Sequence, residues 1–437
     1  LYFLSDRDNK TSNLFSYDPG SAEIRRLTEE TRWSIRAANG SGSTIVYEAG
    51  GRLKRLHLAS GETEEIVVSI APDLPQLRPQ WKNAGTTIQH SDISTTGKRA
   101  LLTARGEVFT VPVKDGSTRN LSNTGTQREY TALWSPDGQK VAWITETANG
   151  QAVVVADQEG SPSGKPMPLG THFYELLAWA PGESSRLVYA DNHLGLHALD
   201  LDSGKSQHIA TGARREQVDV AFSPDGRWLA YTLEQPNYHR QLHLHDFDNG
   251  KNTALGDGLA DAASPAFSPD GKFLFFAAST NSGPLQVGLN MTSQERPYRA
   301  SLYAVVLSRE EASPLLPKPG DEDPAAAEEQ DKEDKENNDA PAAVRIDLDG
   351  LSDRTVALPV AESSYSNLQV GKDGDLFYID TVQPGSTNPP PGEQAEKDNR
   401  LLRFDFEERE VGETLSGVTA FAISHDGSPV SYTHLRA

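Results

Sequence analysis

The sequence predicts an all-β protein built from β-propeller blades, and three observations support that fold class. A motif that reads apolar strand, Ser-Pro-Asp-Gly turn, apolar strand occurs in three full copies and one worn copy. The turn serine or its equivalent lies at 135, 180, 223 and 268, an interval of 43 to 45 residues that is typical of one propeller blade. Glycine and proline, which mark turns between short strands, occur 36 and 27 times in 437 residues.

The best copy of the motif runs from Ala132 to Trp143 and predicts a β-hairpin. An apolar strand ends at Trp134, and in the turn proline presets φ, aspartate bonds its own backbone and glycine adopts a positive φ. A second strand of β-branched and aromatic residues leaves the turn. A third strand with its own turn follows, as at 199–205 and 245–251, and a short edge strand completes a four-stranded blade.

Weaker copies extend the array on both sides. Residues 93–102 fit the template upstream, and residues 370–378 and 423–427 fit it downstream. The seven registers at 94, 135, 180, 223, 268, 371 and 424 therefore predict a seven-bladed ring over residues 73–429 whose last blade is incomplete. Residues 1–72 contain strands and turns of the same kind, and we interpret them as the last blades of a preceding propeller.

Two segments do not fit the blade pattern. The interval from 268 to 371 is about twice the blade length and contains an acidic tract, 321–336, with nine acidic and two basic residues. Since this composition cannot bury a core, we predict a disordered loop at about 317–342, inserted into a blade. A second loop, at about 383–398, contains three consecutive prolines and is predicted to be extended and exposed.

Composition excludes several classes of protein. A formal charge of -21 repels phosphate and disfavours a nucleic-acid partner, and no apolar stretch is long enough for a membrane helix. The absence of cysteine excludes disulfides, zinc ribbons and a cysteine nucleophile. The acidic charge favours solubility, with selection of cationic substrates as the alternative. The chain opens inside a strand-like run without a methionine, so we interpret Leu1 as a cut end.

The sequence contains no catalytic constellation that we recognise. A Gly-x-Ser-x-Gly elbow, a His-Glu-x-x-His pair and a helix–loop–helix calcium loop are all missing, so we predict no catalytic, cofactor-binding or metal-binding residue and no cofactor. Residues 204–206, Gly-Lys-Ser, end like a phosphate loop but lack its upstream glycine and fall in a predicted turn.

Some histidines and aspartates need a separate interpretation. His243 and His245 alternate along one strand and share a face, which could bind a metal, although an ordinary strand is the favoured interpretation. His193 and His239 lie in predicted loops and are given no function. The recurrent turn aspartates are assigned to turn geometry rather than to acid–base catalysis; they are Asp137, Asp225 and Asp270.

A more specific pattern begins at residue 97. Residues 104–112 read Ala-Arg-Gly-Glu-Val-Phe-Thr-Val-Pro, with Gly-Lys-Arg-Ala before them at 97–100 and Arg-Asn-Leu-Ser after them at 119–122. Together these segments resemble the bacterial tricorn protease family. Further colinear segments share the resemblance; they are 5–8, 191–194, 231–232, 236–237, 277–280, 283–284, 344–351 and 358–360. The resemblance covers nearly the whole chain.

The resemblance implies a six-bladed propeller, a seven-bladed propeller and a serine peptidase part with an embedded PDZ domain. Residues 1–72 would then end the first propeller, and the catalytic Ser, His and Glu would lie later in the parent protein, so the fragment itself is not an enzyme. The family degrades oligopeptides, which its propellers would filter and channel to the catalytic domain. The implied parent is a cytoplasmic homo-oligomer, with a periplasmic location as the alternative, and without nucleic-acid or membrane partners.

Two further hypotheses complete the sequence-based view. A periplasmic Tol-system-like propeller, which scaffolds other proteins and has no protease, shares the repeat and is the alternative function. Residues 430–437, Val-Ser-Tyr-Thr-His-Leu-Arg-Ala, resemble a translated sequencing adapter, and we predict that they are not of natural origin.

Overall fold

The computed structural model divides the chain into two compact units, Leu1–Lys82 and Asn83–Ala437. It describes residues 1–8, 10–69, 71, 73–75, 82–182, 185–214, 218–283, 298–317, 343–382, 398–424 and 430–433, with only the backbone described for 430–433. Antiparallel strands dominate these residues, and short 3-10 helices occur at Gly85–Thr87 and Ser352–Arg354. The predicted boundary after residue 72 lies in the same connecting segment as the observed division.

The first unit contains two blade-like sheets. One sheet is three-stranded and the other four-stranded; their strands are β1 (Tyr2–Ser5), β2 (Asn13–Tyr17), β3 (Ile24–Arg26), β4 (Ile35–Ser41), β5 (Thr44–Ala49), β6 (Arg52–His57) and β7 (Thr63–Ile66). In β5 buried and half-buried residues alternate, as expected for a strand with one face on a core. The core of this unit combines Leu14 with Ile45, Tyr47 and Leu56.

The second unit contains seven sheets, which we call blades 1 to 7. The strands of blades 1 to 3 are β8 (Ile88–Ile93), β9 (Arg99–Ala104), β10 (Glu107–Pro112), β11 (Arg119–Asn120); β12 (Glu129–Trp134), β13 (Lys140–Thr147), β14 (Gly150–Asp157), β15 (Met167–Gly170); β16 (Tyr174–Trp179), β17 (Arg186–Asp191), β18 (Gly195–Asp200) and β19 (Ser206–Thr211). Those of blades 4 to 7 are β20 (Val220–Phe222), β21 (Trp228–Glu234), β22 (Arg240–Asp246), β23 (Lys251–Leu255); β24 (Asp261–Phe267), β25 (Phe273–Ser279), β26 (Ser301–Val306), β27 (Thr355–Ala357); β28 (Tyr365–Val370), β29 (Leu376–Asp380), β30 (Arg400–Asp405), β31 (Glu410–Ser416); β32 (Ala420–Ile423) and β33 (Val430–Thr433).

The propeller prediction is confirmed strand by strand. Each of the seven predicted registers lies between the first and second strand of a blade, and within every blade the strands follow one another in chain order. Blades 1 to 6 have four antiparallel strands, and blade 7 has two among the residues that the structure describes. The predicted incomplete last blade contains β32, whereas β33 lies beyond its predicted end at residue 429, so this part of the domain assignment stays a prediction.

The Ser-Pro-Asp-Gly turns are held by their own polar side chains. In blade 4 the Ser223 hydroxyl donates to Asp225 Oδ1 at 2.5 Å and accepts from the Trp228 N–H at 2.9 Å, while Gly226 has a φ of 70°. The same serine–aspartate hydrogen bond, also at 2.5 Å, occurs in blades 2 and 5. The turn role predicted for these aspartates is therefore observed, and it explains why the motif repeats.

The hydrophobic core lies between the blades. Leu101 and Val108 of blade 1 pack with Trp134 and Trp143 of blade 2, and comparable clusters join the later pairs of blades. A central strand such as β21 is buried along its whole length, because both faces of its sheet contact a neighbouring blade. This arrangement explains why the strand sequences are apolar throughout instead of alternating.

Several predictions concern residues outside the described part. Residues 318–342 and 383–397 are not described, so the predicted loops at 317–342 and 383–398 fall almost entirely outside it. The acidic tract lies between β26 and β27, which pair within one sheet. The backbone of 430–433 pairs with β32, and the non-natural origin of 430–437 stays a prediction. Within the described residues, no helix is long and apolar enough to cross a membrane.

Candidate channel through the second ring

The first strands of the seven blades form a closed ring. Each first strand contacts the first strand of the next blade, in the order β8, β12, β16, β20, β24, β28, β32, and β32 contacts β8 again. Because these strands are mutual neighbours, they are the innermost strands and surround the axis of the ring. Propeller blades arranged in this way enclose a central channel, and the innermost strands form its wall.

Polar side chains connect most of these inner strands to one another. The inter-blade clamps, as we call these hydrogen bonds, are Trp134 N–H to Asp92 Oδ2 (2.7 Å), Leu176 N–H to Thr131 Oγ1 (3.1 Å), Ser264 N–H to Asp219 Oδ2 (2.8 Å), Asn367 N–H to Ser264 Oγ (3.1 Å) and Ile423 N–H to Gln369 Oε1 (2.8 Å). An innermost strand is the edge strand of its sheet, so the N–H groups on its unpaired side have no hydrogen-bond partner in another strand of that sheet. The clamps give these groups a hydrogen-bond acceptor and join adjacent blades.

The clamp side chains occupy recurrent positions before the turn. Thr131, Asp219 and Ser264 each lie four residues before the turn serine of their blade, and Asp92 lies two residues before its own turn serine. At Thr131 and at Ser264 the pairing of the inner strand with its neighbour is interrupted by a register shift, between Tyr130 and Ala132 in blade 2 and between Ala263 and Ala266 in blade 5. A bulge redirects a side chain out of the regular pleat, which allows it to reach the next blade.

The seam between blades 3 and 4 is joined differently. No clamp between β16 and β20 is present among the described residues, and the equivalent positions of β16 are apolar. Instead, the Arg186 guanidinium lies 3.9 Å from the centroid of the Phe247 ring. Further out, Asn252 Nδ2 donates to the carbonyl oxygen of Ile209 at 2.8 Å. Blades 3 and 4 are therefore joined by side-chain contacts near their turns and near their outer strands.

The electrostatic character of the wall is neutral to acidic. None of the inner strands, whose sequences are described, contains lysine or arginine. Burial raises the pKa of Asp92 to about 6, although the N–H groups of Trp134 and Ile93 act to lower it. Burial also lowers the pKa of His90 on the same strand, which favours its neutral form.

A buried ion pair joins blades 4 and 5. Arg240, at the start of β22, donates to Asp261 on β24 from its backbone N–H at 2.8 Å, from Nε at 3.1 Å and from Nη2 at 2.8 Å. The side chains are 14% and 1% exposed. Burial acts to lower the pKa of Arg240, but its hydrogen bonds to Asp261 and the carboxylate charge outweigh burial and raise it.

The histidines singled out in the sequence lie in ordinary packing contacts. The ring of His243 stacks on Tyr231 with centroids 5.3 Å apart, and His245 Nδ1 lies 2.7 Å from Asn252 Oδ1. Burial lowers the pKa of both histidines. In the part of the chain that the structure describes, no group of three or more His, Asp or Glu side chains could hold a metal ion. The predicted lack of catalytic and cofactor residues stays a prediction.

The remaining motifs of the sequence analysis also fall in loops and turns. The N–H of His193 donates to Asp191 Oδ1 at 2.8 Å, and its Nδ1 lies 3.0 Å from that of His172. The N–H of His239 donates to Asn237 Oδ1 at 3.1 Å. Residues 204–206 lie at the turn that leads into β19, as predicted. Sequence reasoning missed the clamps, whose only signal is a polar residue inside an apolar first strand.

Comparison with known proteins identifies the fold and family. Residues 88–434 match the model of the tricorn protease second beta propeller domain. The chain belongs to this family. Tricorn protease homolog 1 from Streptomyces coelicolor is 27% identical over 98% of the chain, and the tricorn protease from Thermoplasma volcanium is 24% identical over 99%. The suspected family and the propeller fold are thus confirmed.

The tricorn relatives are considerably longer than this chain. Each of the two alignments covers 40% of the relative, so the chain spans less than half of their length. The crystal structure of the tricorn protease aligns over 99% of the chain and 40% of its own length, with a TM-score of 0.57 at 19% identity, which supports the fold. The chain therefore corresponds to the propeller region of these longer tricorn relatives.

Proposed function

We propose that the channel of the second unit passes extended oligopeptides to a serine-type catalytic part of the same full-length protein. The observation that carries this proposal is the closed ring of inner strands with its inter-blade clamps. A ring whose blades are joined side by side keeps its aperture when a flexible peptide enters. The catalytic residues and a PDZ domain would lie outside this chain.

The clamps also favour transit of the peptide over its retention. An extended peptide binds a sheet edge by forming main-chain hydrogen bonds with free N–H and C=O groups. In this ring the N–H groups of Trp134, Leu176, Ser264, Asn367 and Ile423 already donate to side chains. The wall therefore offers few of the contacts that would hold a passing peptide as an added strand. Without lysine or arginine, it also attracts cationic peptides more than acidic ones.

The location and assembly of the full-length protein are further parts of the proposal. We infer a cytoplasmic protein that forms homo-oligomers, and both inferences rest on the family alone. The Tol-system-like scaffold has weaker support than the peptidase part. The family model and the relatives that align over almost the whole chain belong to tricorn proteases.

Blocking the channel of the full-length protein tests the proposal. This chain contains no cysteine, so one thiol introduced by Glu175→Cys, at an exposed position of the inner strand β16, can be labelled once cysteines elsewhere are replaced. A bulky polyethylene glycol maleimide should slow hydrolysis of an extended peptide by about tenfold or more, which is about 1.4 kcal/mol of barrier. A small methylating thiol reagent at the same site should not.

Two controls make this experiment decisive. Lys114→Cys, in an exposed loop between β10 and β11, carries the same bulky label outside the ring of inner strands. The labelled control should retain the unlabelled rate, and the purified chain alone should not cleave the peptide. An unchanged rate after bulky labelling at residue 175 would contradict the channel proposal, and cleavage by the isolated chain would contradict its non-catalytic role.

A further inference from the structure

A large groove lies at the turn-bearing ends of blades 2 and 3. Its volume is about 620 Å³, which is within the range of sites that bind small molecules or short peptides. Val155 and Met167 from blade 2 and Trp179 and Leu201 from blade 3 provide its apolar part. The loops around it contain glycine and serine, so backbone groups and hydroxyls are close to any bound molecule.

Unused hydrogen-bond donors surround this apolar surface. Lys140 and Lys165, on the blade 2 side, are exposed and form no ion pair with any described residue. The Trp179 indole N–H likewise has no acceptor among the described side chains and backbone groups. In a chain with a net charge of -21, these two lysines place positive charge at the groove. Both lysines line the groove beside its apolar surface.

Two acidic residues limit how much negative charge the groove can accept. Asp137 lines the blade 2 side, where its Oδ1 already accepts from the Ser135 hydroxyl at 2.5 Å and from the Gln139 N–H at 2.9 Å. Asp202 lines the blade 3 side. Their charges repel a ligand with several carboxylates, whereas a ligand with one can place it near the lysines.

We propose that this groove binds the carboxy-terminal end of peptides whose last residue is apolar. The terminal carboxylate would contact Lys140 and Lys165, and the terminal side chain would pack on Trp179, Met167 and Leu201. The clamp from the Leu176 N–H to Thr131 Oγ1 joins the same two blades. The choice of a peptide ligand rests on the proposed peptide-handling function, but the groove belongs entirely to this chain.

Fluorescence anisotropy on the purified chain tests this site. The probe is a labelled peptide that ends in leucine with a free carboxylate, and the comparison is the same peptide with a terminal amide. We expect the amide to bind about tenfold more weakly, because it loses the charge-assisted hydrogen bonds to the lysines. Added salt should weaken binding of the carboxylate form more than of the amide form.

Matched variants identify the groups involved. Lys140→Gln and Lys165→Gln should each weaken binding of the carboxylate peptide by about fivefold to tenfold and hardly affect the amide. Trp179→Phe keeps an aromatic surface but removes the indole N–H, and should weaken binding by about threefold. Lys251 is an exposed lysine that follows the turn between β22 and β23 of blade 4, outside the groove. Lys251→Gln should therefore leave binding unchanged.

Four outcomes would overturn the proposal. The first is that the peptide does not bind at millimolar concentration, and the second is that its carboxylate and amide forms bind equally well. The third is that Lys251→Gln weakens binding as much as the groove variants do. The fourth is that inorganic phosphate or a polyglutamate peptide binds more tightly than the peptide that ends in leucine. Because the chain alone is used, absence of binding contradicts the groove and leaves the channel untouched. Conversely, uninhibited cleavage by the channel-labelled full-length protein contradicts the channel and leaves the groove untouched.

Discussion

Removing one partner of the buried Arg240–Asp261 pair should destabilise the second unit more than any change to its surface charges. Asp261→Asn is the sharpest perturbation, because asparagine has the shape of aspartate and keeps one carbonyl oxygen for the Arg240 backbone N–H. The guanidinium, however, loses a full negative charge while its side chain is only 14% exposed. An unpaired charge at such a site is strongly unfavourable.

The magnitude follows from the contacts that are lost. Asp261 accepts two hydrogen bonds from the guanidinium, at 3.1 and 2.8 Å, and asparagine can replace at most one of them without charge. Breaking a buried pair by removing one partner costs about 3 to 5 kcal/mol, and the retained backbone hydrogen bond places this variant near about 3 kcal/mol. At about 2.1 cal/mol/K of unfolding entropy per residue, the Tm of the second unit should fall by about 4 °C.

Thermal and urea unfolding of the purified chain measure this change. Arg345→Gln is the matched control, because Arg345 and Glu310 lie 2.9 Å apart with side chains 58% and 75% exposed. An exposed pair of this kind contributes about 0 to 1 kcal/mol. If Asp261→Asn loses no more stability than Arg345→Gln, the buried pair does not hold blades 4 and 5 together and the reasoning is wrong.

Three other substitutions test different parts of the ring by the same unfolding assays. The pKa of Asp92 is raised to about 6 from an ordinary value near 3.8. The folded state therefore binds this proton more readily than the unfolded state, and the protein gains stability as the pH falls from about 7 to 4. Asp92→Asn should remove up to about 3 kcal/mol of this pH dependence. Thr131→Val leaves the Leu176 N–H without its acceptor and should cost about 1 kcal/mol. Gly226→Ala forces a φ of 70° on a residue with a side chain and should cost about 1 to 2 kcal/mol.

Each of these substitutions has its own check. A stability difference between Asp92→Asn and the parent chain that stays constant from pH 7 to pH 4 would show that this carboxyl does not titrate as described. For the clamp, Thr131→Ser keeps the hydroxyl and should restore most of the loss caused by valine. For the turn, Gly412→Ala is the control, since a Cβ there meets no atom within 4 Å and the backbone φ is not positive; equal effects of the two alanines would contradict the turn argument.

The sequence predicted those features that depend on neighbours along the chain. Ser223, Asp225 and Gly226 form their turn with each other and with Trp228, so the motif reveals the hairpin without knowledge of the rest of the fold. Repetition at the blade interval then predicts the ring. This logic accounts for the success of the seven registers, including the worn copy at residue 180, where proline and glycine are kept although serine and aspartate are lost.

Features between blades were missed because their partners are far apart in the chain. Asp92 accepts a hydrogen bond from the Trp134 N–H, 42 residues later, and the Ser264 hydroxyl accepts one from the Asn367 N–H, 103 residues later. Seen alone, each is one polar residue in a short strand and has no partner at a recognisable spacing. The groove between blades 2 and 3 was missed for the same reason, because Lys140 and Trp179 come together only after the two blades have packed.

The seam between blades 6 and 7 shows how the clamps and the packing complement each other. A four-stranded blade attaches to its neighbour mainly through apolar sheet faces, and among the described residues blade 7 contributes β32 and β33. At its seam with blade 6 the polar contacts are correspondingly dense: Asn367 Nδ2 and Gln369 Nε2 both donate to the Phe421 carbonyl, at 3.0 and 2.9 Å, and Gln369 Oε1 accepts from the Ile423 N–H. A buried carbonyl and N–H that both have side-chain partners fix β32 in one register. Polar clamps and the apolar cluster of Ile379, Leu401 and Phe421 thus act together at this seam.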